Sequence, residues 1–136
     1  MFNAKVYRVR IASAGTIMKE ERLAVEIINR WSLLYGEQKR VVFLPTSMES
    51  ESIIPDLFIF VADAYVDERH VDAVLDKGVP VFIFSRKHHD ICSSIPSEIK
   101  EMEEYRGKIT SRCEWVEYDG KEEFEKVLTE SIDAID

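Results

Sequence analysis

Three groups of residues in this 136-residue chain have the types and spacing to do chemistry. The first is Ser13-Ala14-Gly15-Thr16, followed at once by a helical pattern. Two hydroxyls and the free N–H groups of a helix start converge there, which is how phosphate is held. It is not a P-loop, because the closing Lys-Ser/Thr pair is missing, and it is not Gly-x-Gly-x-x-Gly. Glu20 and Glu21 follow closely and oppose a dianion, and a plain capped turn uses the same residues. Both readings stay open: a capped turn, or a cradle for a nucleotide or nucleoside.

The second group is Asp63, Tyr65, Asp67, Glu68 and Asp72, directly behind the apolar run Leu57 to Ala62. Structural roles cover the acids. Asp63 and Asp67 suit a loop, Glu68 suits the positive end of a helix dipole, and Asp72 suits a solvated helix face. The third group, His88-His89-Asp90-x-Cys92, holds metal-ligand types. Adjacent histidines on one loop rarely both reach one ion, and no second Cys/His cluster is visible. No metal site is assigned, and no cofactor is expected. A Gly-x-Ser-x-Gly turn is absent. A receiver domain is excluded too, since the first strand lacks paired aspartates and the fourth ends at Ser85 rather than lysine.

The elements that must position these groups follow from periodicity. Residues 5–12 alternate as a strand, with Tyr7, Val9 and Ile11 on one side and Val6 on the other. A helix from Ile17 to Leu34 carries Leu23, Ile27, Trp31 and Leu34, widened by Ala24 and Ile28, with Gly36 as its stop. Val41 to Leu44 reads as an interior parallel strand ended by Pro45. The crossover Thr46 to Asp56 is short, with one or two helical turns expected over Glu49 to Ile54. Leu57 to Ala62 is a buried strand and Glu68 to Lys77 a helix with Val71, Val74 and Leu75 inward, stopped by Gly78. Val79 to Phe84 is the next strand, and Ser85 to Ser94 a polar loop. A helix follows from Ile95 to Tyr105, with Ile99 and Met102 inward and Gly107 at its end. Glu114 to Tyr118 is a fifth strand. Asp119 and Glu122 form a capping box for a last helix with Phe124, Val127, Leu128, Ile132 and Ile135 as its stripe.

Five strands interleaved with helices give an α/β three-layer sandwich with a mainly parallel sheet, read here in the flavodoxin-like order 2-1-3-4-5. One domain over 1–136 is expected, without linker or repeat. In that order the switch point lies between the first and third strands, where such sheets bind ligands. The loops meeting there are Ser13 to Thr16 and Asp63 to Asp67.

Ile11-Ala12-Ser13-Ala14-Gly15, then Glu20-Glu21-Arg22 and Ala24-Val25, resembles an uncharacterised bacterial domain family. Its first strand ends in Ile-Ala-Ser-Pro-Gly-Asp, followed by Glu-Glu-Arg. The similarity continues through Asn29-Arg30-Trp31, Asp56-Leu57-Phe58-Ile59 and Gly78-Val79-Pro80-Val81, covering roughly residues 5 to 90. The resemblance implies a fold akin to TIR domains and nucleoside 2-deoxyribosyltransferases. Ala14 and Thr16 stand where the family has proline and aspartate, and one residue is added before Glu20.

The related transferases carry an acid at the start of the helix after the third strand, usually behind a glycine. That position falls near His70, with Glu68 and Asp72 on either side and no glycine before them. An acid there would stabilise positive charge at the anomeric carbon as an N-glycosidic bond breaks. Glu68 and Asp72 are the catalytic candidates that the resemblance implies.

Net charge is −8, which repels nucleic acid and anionic membrane, apart from the small patch Arg86-Lys87-His88-His89. No apolar run approaches the ~18 residues of a membrane span. Two cysteines and no export signal suggest reduced thiols in a cytoplasm. The expected function is a module without catalysis. It binds a nucleotide- or nucleoside-like ligand, or a partner protein, at the strand carboxyl edge. Ser13, Gly15, Thr16, Asp63 and Tyr65 are the contacts, and a homodimer is a further partner to test. The alternative is an N-glycosidase or deoxyribosyltransferase-like enzyme acting on a nucleoside or NAD.

Overall fold

A computed structural model describes residues 3–13, 18–46, 55–62, 68–86, 96–109 and 111–135. The chain runs β1 (Lys5–Ser13), α1 (Met18–Lys39), β2 (Val41–Thr46), β3 (Leu57–Ala62) and α2 (Glu68–Asp76). It continues β4 (Val81–Arg86), α3 (Pro96–Ile109), β5 (Glu114–Tyr118) and α4 (Gly120–Ile135). All five strands are parallel, in the order β2-β1-β3-β4-β5 that the sequence suggested. Residues 49–54, where a short helix was expected, lie outside the described residues.

Alternation along β1 sorts the two faces. Val9 and Ile11 point to one side and pack with Ala24, Ile27, Ile28 and Trp31 of α1 and Phe124, Leu128 and Ile132 of α4. Ala12 packs on the other side, where Val71 and Val74 of α2 and Tyr105 and Ile109 of α3 meet Phe58, Phe60 and Ile83. β3 serves both clusters with alternate residues, which is why all six of its residues are apolar and buried. Among the described residues, no helix is long and apolar enough to cross a membrane.

Several expectations based on local signals are overturned by packing. Gly36 does not end α1, which runs on to Lys39 and stops at Arg40 in the left-handed region, φ 56°. Gly36 lies where α1 crosses β2: a Cβ there would sit 3.1 Å from the Val41 carbonyl oxygen. It is in the helix because two backbones approach closely. Leu34, expected inward, is 63% exposed, because the buried stripe ends at Trp31.

Nor is β2 an interior strand. It is the sheet edge, and Pro45 lies within it. Ser32 of α1 covers that edge. Its Oγ accepts from the Phe43 N–H at 3.0 Å, and its hydroxyl donates to the Phe43 carbonyl at 3.4 Å. Backbone directions alternate, so Pro45, two residues on, also faces away from β1. Its missing N–H therefore costs the ladder nothing.

Three further boundaries shift. β4 starts at Val81 and extends through Ser85 and Arg86, which the sequence put in a loop. Ser85 is buried, and the Trp115 indole N–H donates to its Oγ at 2.7 Å. That bond satisfies two polar groups and lets β4 run on. α3 continues past Gly107 to Ile109, because Tyr105 and Ile109 bury its last turns. At α4, Glu123 rather than Glu122 reaches back to accept the Asp119 N–H, at 3.2 Å. Gly120, φ 82°, makes the turn into the helix and displaces the box by one residue. Gly78 does stop α2, with φ 79° and its N–H bonded to the Leu75 carbonyl.

Cross-element polar bonds fasten the layers. The Trp31 indole N–H donates to Asp133 Oδ1 at 2.7 Å, and Arg30 pairs with Glu125 at 2.8 Å, joining α1 to α4. On the other face Arg112 pairs with Asp76 at 3.1 Å, and Arg106 pairs with Glu117 while lying over the Trp115 ring. These pairs are largely exposed and contribute modestly. The Cys113 thiol packs against the second cluster, and burial pushes its pKa up, with Arg112 opposing.

Three outcomes follow from this packing. Gly36→Val lowers the urea midpoint by the equivalent of about 1–3 kcal/mol with an unchanged slope, through contact with the Val41 carbonyl. Ser85→Ala strands the buried indole N–H and costs about 1–3 kcal/mol, and a cycle with Trp115→Phe shows coupling. In a Cys92→Ser chain, Cys113 alkylates more slowly at mildly alkaline pH than the unfolded chain does. Because its folded pKa is raised, the associated stability is intact below the unfolded thiol pKa and is lost as pH rises past it. Stopped-time alkylation and denaturation against pH read both effects.

Candidate functional site

The site begins with the neighbours of β1. Its last residues pair with β3, Ala12 opposite Phe60 and Ser13 opposite Val61. Both strands therefore end at the same level, side by side. The chain leaves them in opposite directions. From β1 it enters α1, which packs on the face of Val9 and Ile11. From β3 it enters α2, which packs on the face of Phe58 and Phe60. With α1 and α2 on opposite faces, the carboxyl edge between β1 and β3 is the switch point of this open parallel sheet, the place where such folds leave a gap.

The expected residues relate to that gap as follows. Ser13 is the last residue of β1 and Glu68 the first of α2. Gly15, Thr16, Asp63 and Tyr65 lie outside the described residues, as does the His88-His89-Asp90-x-Cys92 stretch. Asp72 sits one turn into α2, roughly 6 Å along the axis from Glu68. Its carboxylate accepts the Tyr105 hydroxyl proton at 2.8 Å, a strut between α2 and α3. The structure thus brings Ser13 and the start of α2 to one end of adjacent strands, and ties Asp72 to the helix layer beside them.

Other groups reach the same edge. Arg86, the exposed last residue of β4, stands one strand beyond β3. Ser85 beside it is buried, its Oγ accepting from the Trp115 indole N–H. On the α1 face, a cleft of about 310 Å³ opens where α1 and α4 begin, lined by Glu20, Arg22, Leu23, Glu26 and Lys121. Two carboxylates and two cations around one leucine give it mixed polarity. Glu26 and Lys121 were not among the expected site residues. Lys121 comes from the far end of the chain, and only the packing of α4 beside α1 brings it here. The strand order was the signal that could have placed it.

Among the described residues, no group of three or more His, Cys, Asp or Glu side chains is arranged to hold a metal ion. Among the described residues, this edge carries carboxylates and a few cations. That repertoire can grip a small polar ligand.

No protein-family model and no curated protein matches the chain. Among solved structures, the fold is similar to that of translation elongation factor SelB from Methanococcus maripaludis in its apo form. The TM-score is 0.54 and the identity 11%, over 98% of this chain and 37% of that one. Homoserine dehydrogenase from S. aureus at pH 7.0 gives a TM-score of 0.44 and 14% identity, over 83% of this chain and 33% of that one. The chain spans well under half the length of either protein, and what it shares with SelB is an α/β fold.

Proposed function

We propose that this chain is a binding module that takes a nucleotide- or nucleoside-like ligand at the carboxyl edge of the sheet and does no chemistry on it. One observation carries the reading: β1 and β3 are adjacent, end level, and send α1 and α2 to opposite faces. A gap of that kind is where open α/β sheets seat ligands. Ser13, Gly15 and Thr16 would face a phosphate or sugar with hydroxyls and N–H groups. Asp63 would accept from a sugar hydroxyl, and the Tyr65 ring would stack on a base. The resemblance to the Ile-Ala-Ser-Pro-Gly-Asp family agrees with a nucleoside-like ligand. Asp72 acts in this reading as a helix strut, since Tyr105 holds its carboxylate.

The test is thermal unfolding of the full chain with AMP, ADP, ATP, GTP, NAD and adenosine in turn. A ligand present at about 100 times its Kd stabilises the folded state by about 2.7 kcal/mol, a rise of roughly 10 °C for a domain of this size. Thr16→Ala reduces the rise without lowering the melting point of the free chain by more than about 2 °C. A chain that none of these compounds stabilises does not bind this class. Release of free base from NAD or a deoxynucleoside, detected by chromatography and lost in Glu68→Gln, would replace the binding module with an N-glycosidase.

A further inference from the structure

α1 and α4 meet differently along their length. Two ion pairs set their register. Arg30 bonds Glu125 at 2.8 Å, and further along both helices Lys39 approaches Asp133 at 3.9 Å. The two helices therefore run parallel. One turn closer to their starts, the same register sets Glu26 of α1 opposite Lys121 of α4. Their charges are opposite, yet among the described residues they form no ion pair. Both instead line the cleft of about 310 Å³ that opens where the helices begin.

The lining says what fits. Glu20, Leu23 and Glu26 follow one another at spacings of three, a row about 9 Å long on α1. Leu23 is half-buried and packs on the core beneath, which makes it an apolar floor between two carboxylates. Arg22 stands one turn before Glu26, and Lys121 faces the row from α4. Among the described residues, none of these four charged groups is in an ion pair. Two carboxylates and two cations sum to zero, in a chain of net charge −8. A ligand of one sign meets as much repulsion as attraction there, while a ligand carrying both signs is attracted at each end. A cleft of this volume is at the small end of ligand sites, which suits a molecule of amino-acid size.

We propose that the cleft between the starts of α1 and α4 binds a free α-amino acid with an apolar side chain. Its ammonium faces Glu26 and Glu20, its carboxylate faces Lys121 and Arg22, and its side chain lies on Leu23. The zwitterion thus joins Glu26 to Lys121 and continues the row of charge pairs that holds the two helices together. This cleft is on the α1 face, apart from the ends of β1 and β3, and does not depend on what binds there.

The probes are L-leucine, L-methionine and L-phenylalanine, each titrated into the ¹⁵N-labelled full chain. Isopentylamine and isocaproate, which keep the leucine side chain and one charge each, are the controls. An amino acid of this group moves the amides of Leu23, Glu26 and Lys121, and each control binds at least roughly five-fold more weakly than leucine. Lys121→Gln weakens leucine by a similar factor and spares isopentylamine, while Glu26→Gln weakens leucine and spares isocaproate. Both side chains are exposed, so the melting points of the free variants stay within about 2 °C of the parent. No shift at these amides with any of the three amino acids overturns the proposal. So does equal binding of leucine and either control, or an affinity that neither substitution changes. Shifts confined to Ser13 and Glu68 would place the amino acid at the carboxyl edge between β1 and β3 and overturn it as well.

Discussion

β1 is hydrogen-bonded on both flanks by strands that come after it, β2 on one side and β3 on the other. That placement constrains everything built around it. The chain goes out to β2 in one direction and takes β3, β4 and β5 in the other. Right-handed connections then put α1 on one face and α2 on the opposite face. The alternation of β1 is the local expression of the same constraint. Val9 and Ile11 serve the α1 side, and Ala12 serves the α2 side. A one-residue slip in this strand would exchange the two faces and undo both cores.

The same arrangement makes the ends of the sheet chemically unequal. At the carboxyl edge lie Ser13 at the end of β1, the start of α2, and Arg86 at the end of β4. The neighbouring polar groups there are already committed, Ser85 to Trp115 and Asp72 to Tyr105. Near the amino edge, β1 and β2 are fastened by the Lys5 to Arg40 bond and by α1 crossing β2 through Ser32 and Gly36. One side of these two strands is sealed by that helix, while the other presents valine, leucine and arginine to solvent.

Much of this was legible in the residues, for identifiable reasons. Six consecutive apolar residues between Asp56 and Asp63 mark a strand buried on both faces, and β3 has those bounds. The stripe Phe124, Leu128, Ile132 is long enough to show the face of α4 that packs. The interleaving of helices and strands pointed to a parallel three-layer sheet, and the flavodoxin-like order chosen for it is the order observed. Local stop signals misled where tertiary contact reversed their meaning. Gly36 reads as a cap, yet it is in a helix because a strand backbone passes close by. Pro45 reads as a break, yet an edge strand tolerates it on its open side. Ser85 reads as loop, yet an indole thirty residues away buries it. The cleft between α1 and α4 was hidden for the same reason, since Glu26 and Lys121 meet only through packing. Of the expected ligand residues, Ser13, read in the sequence as the first residue of the turn, is the last residue of β1.

The central claim is that this protein holds its nucleotide- or nucleoside-like ligand between the ends of β1 and β3. A map of backbone amide shifts in the labelled chain, recorded while ATP or adenosine is added, tests it most directly. The account predicts that the largest changes follow β1 and β3, over Ser13 to Thr16 and Asp63 to Tyr65, with smaller ones at Glu68 and Arg86. Changes centred on the amino ends of the strands or on the outer face of α1, with the Ser13 and Asp63 segments unmoved, would contradict it.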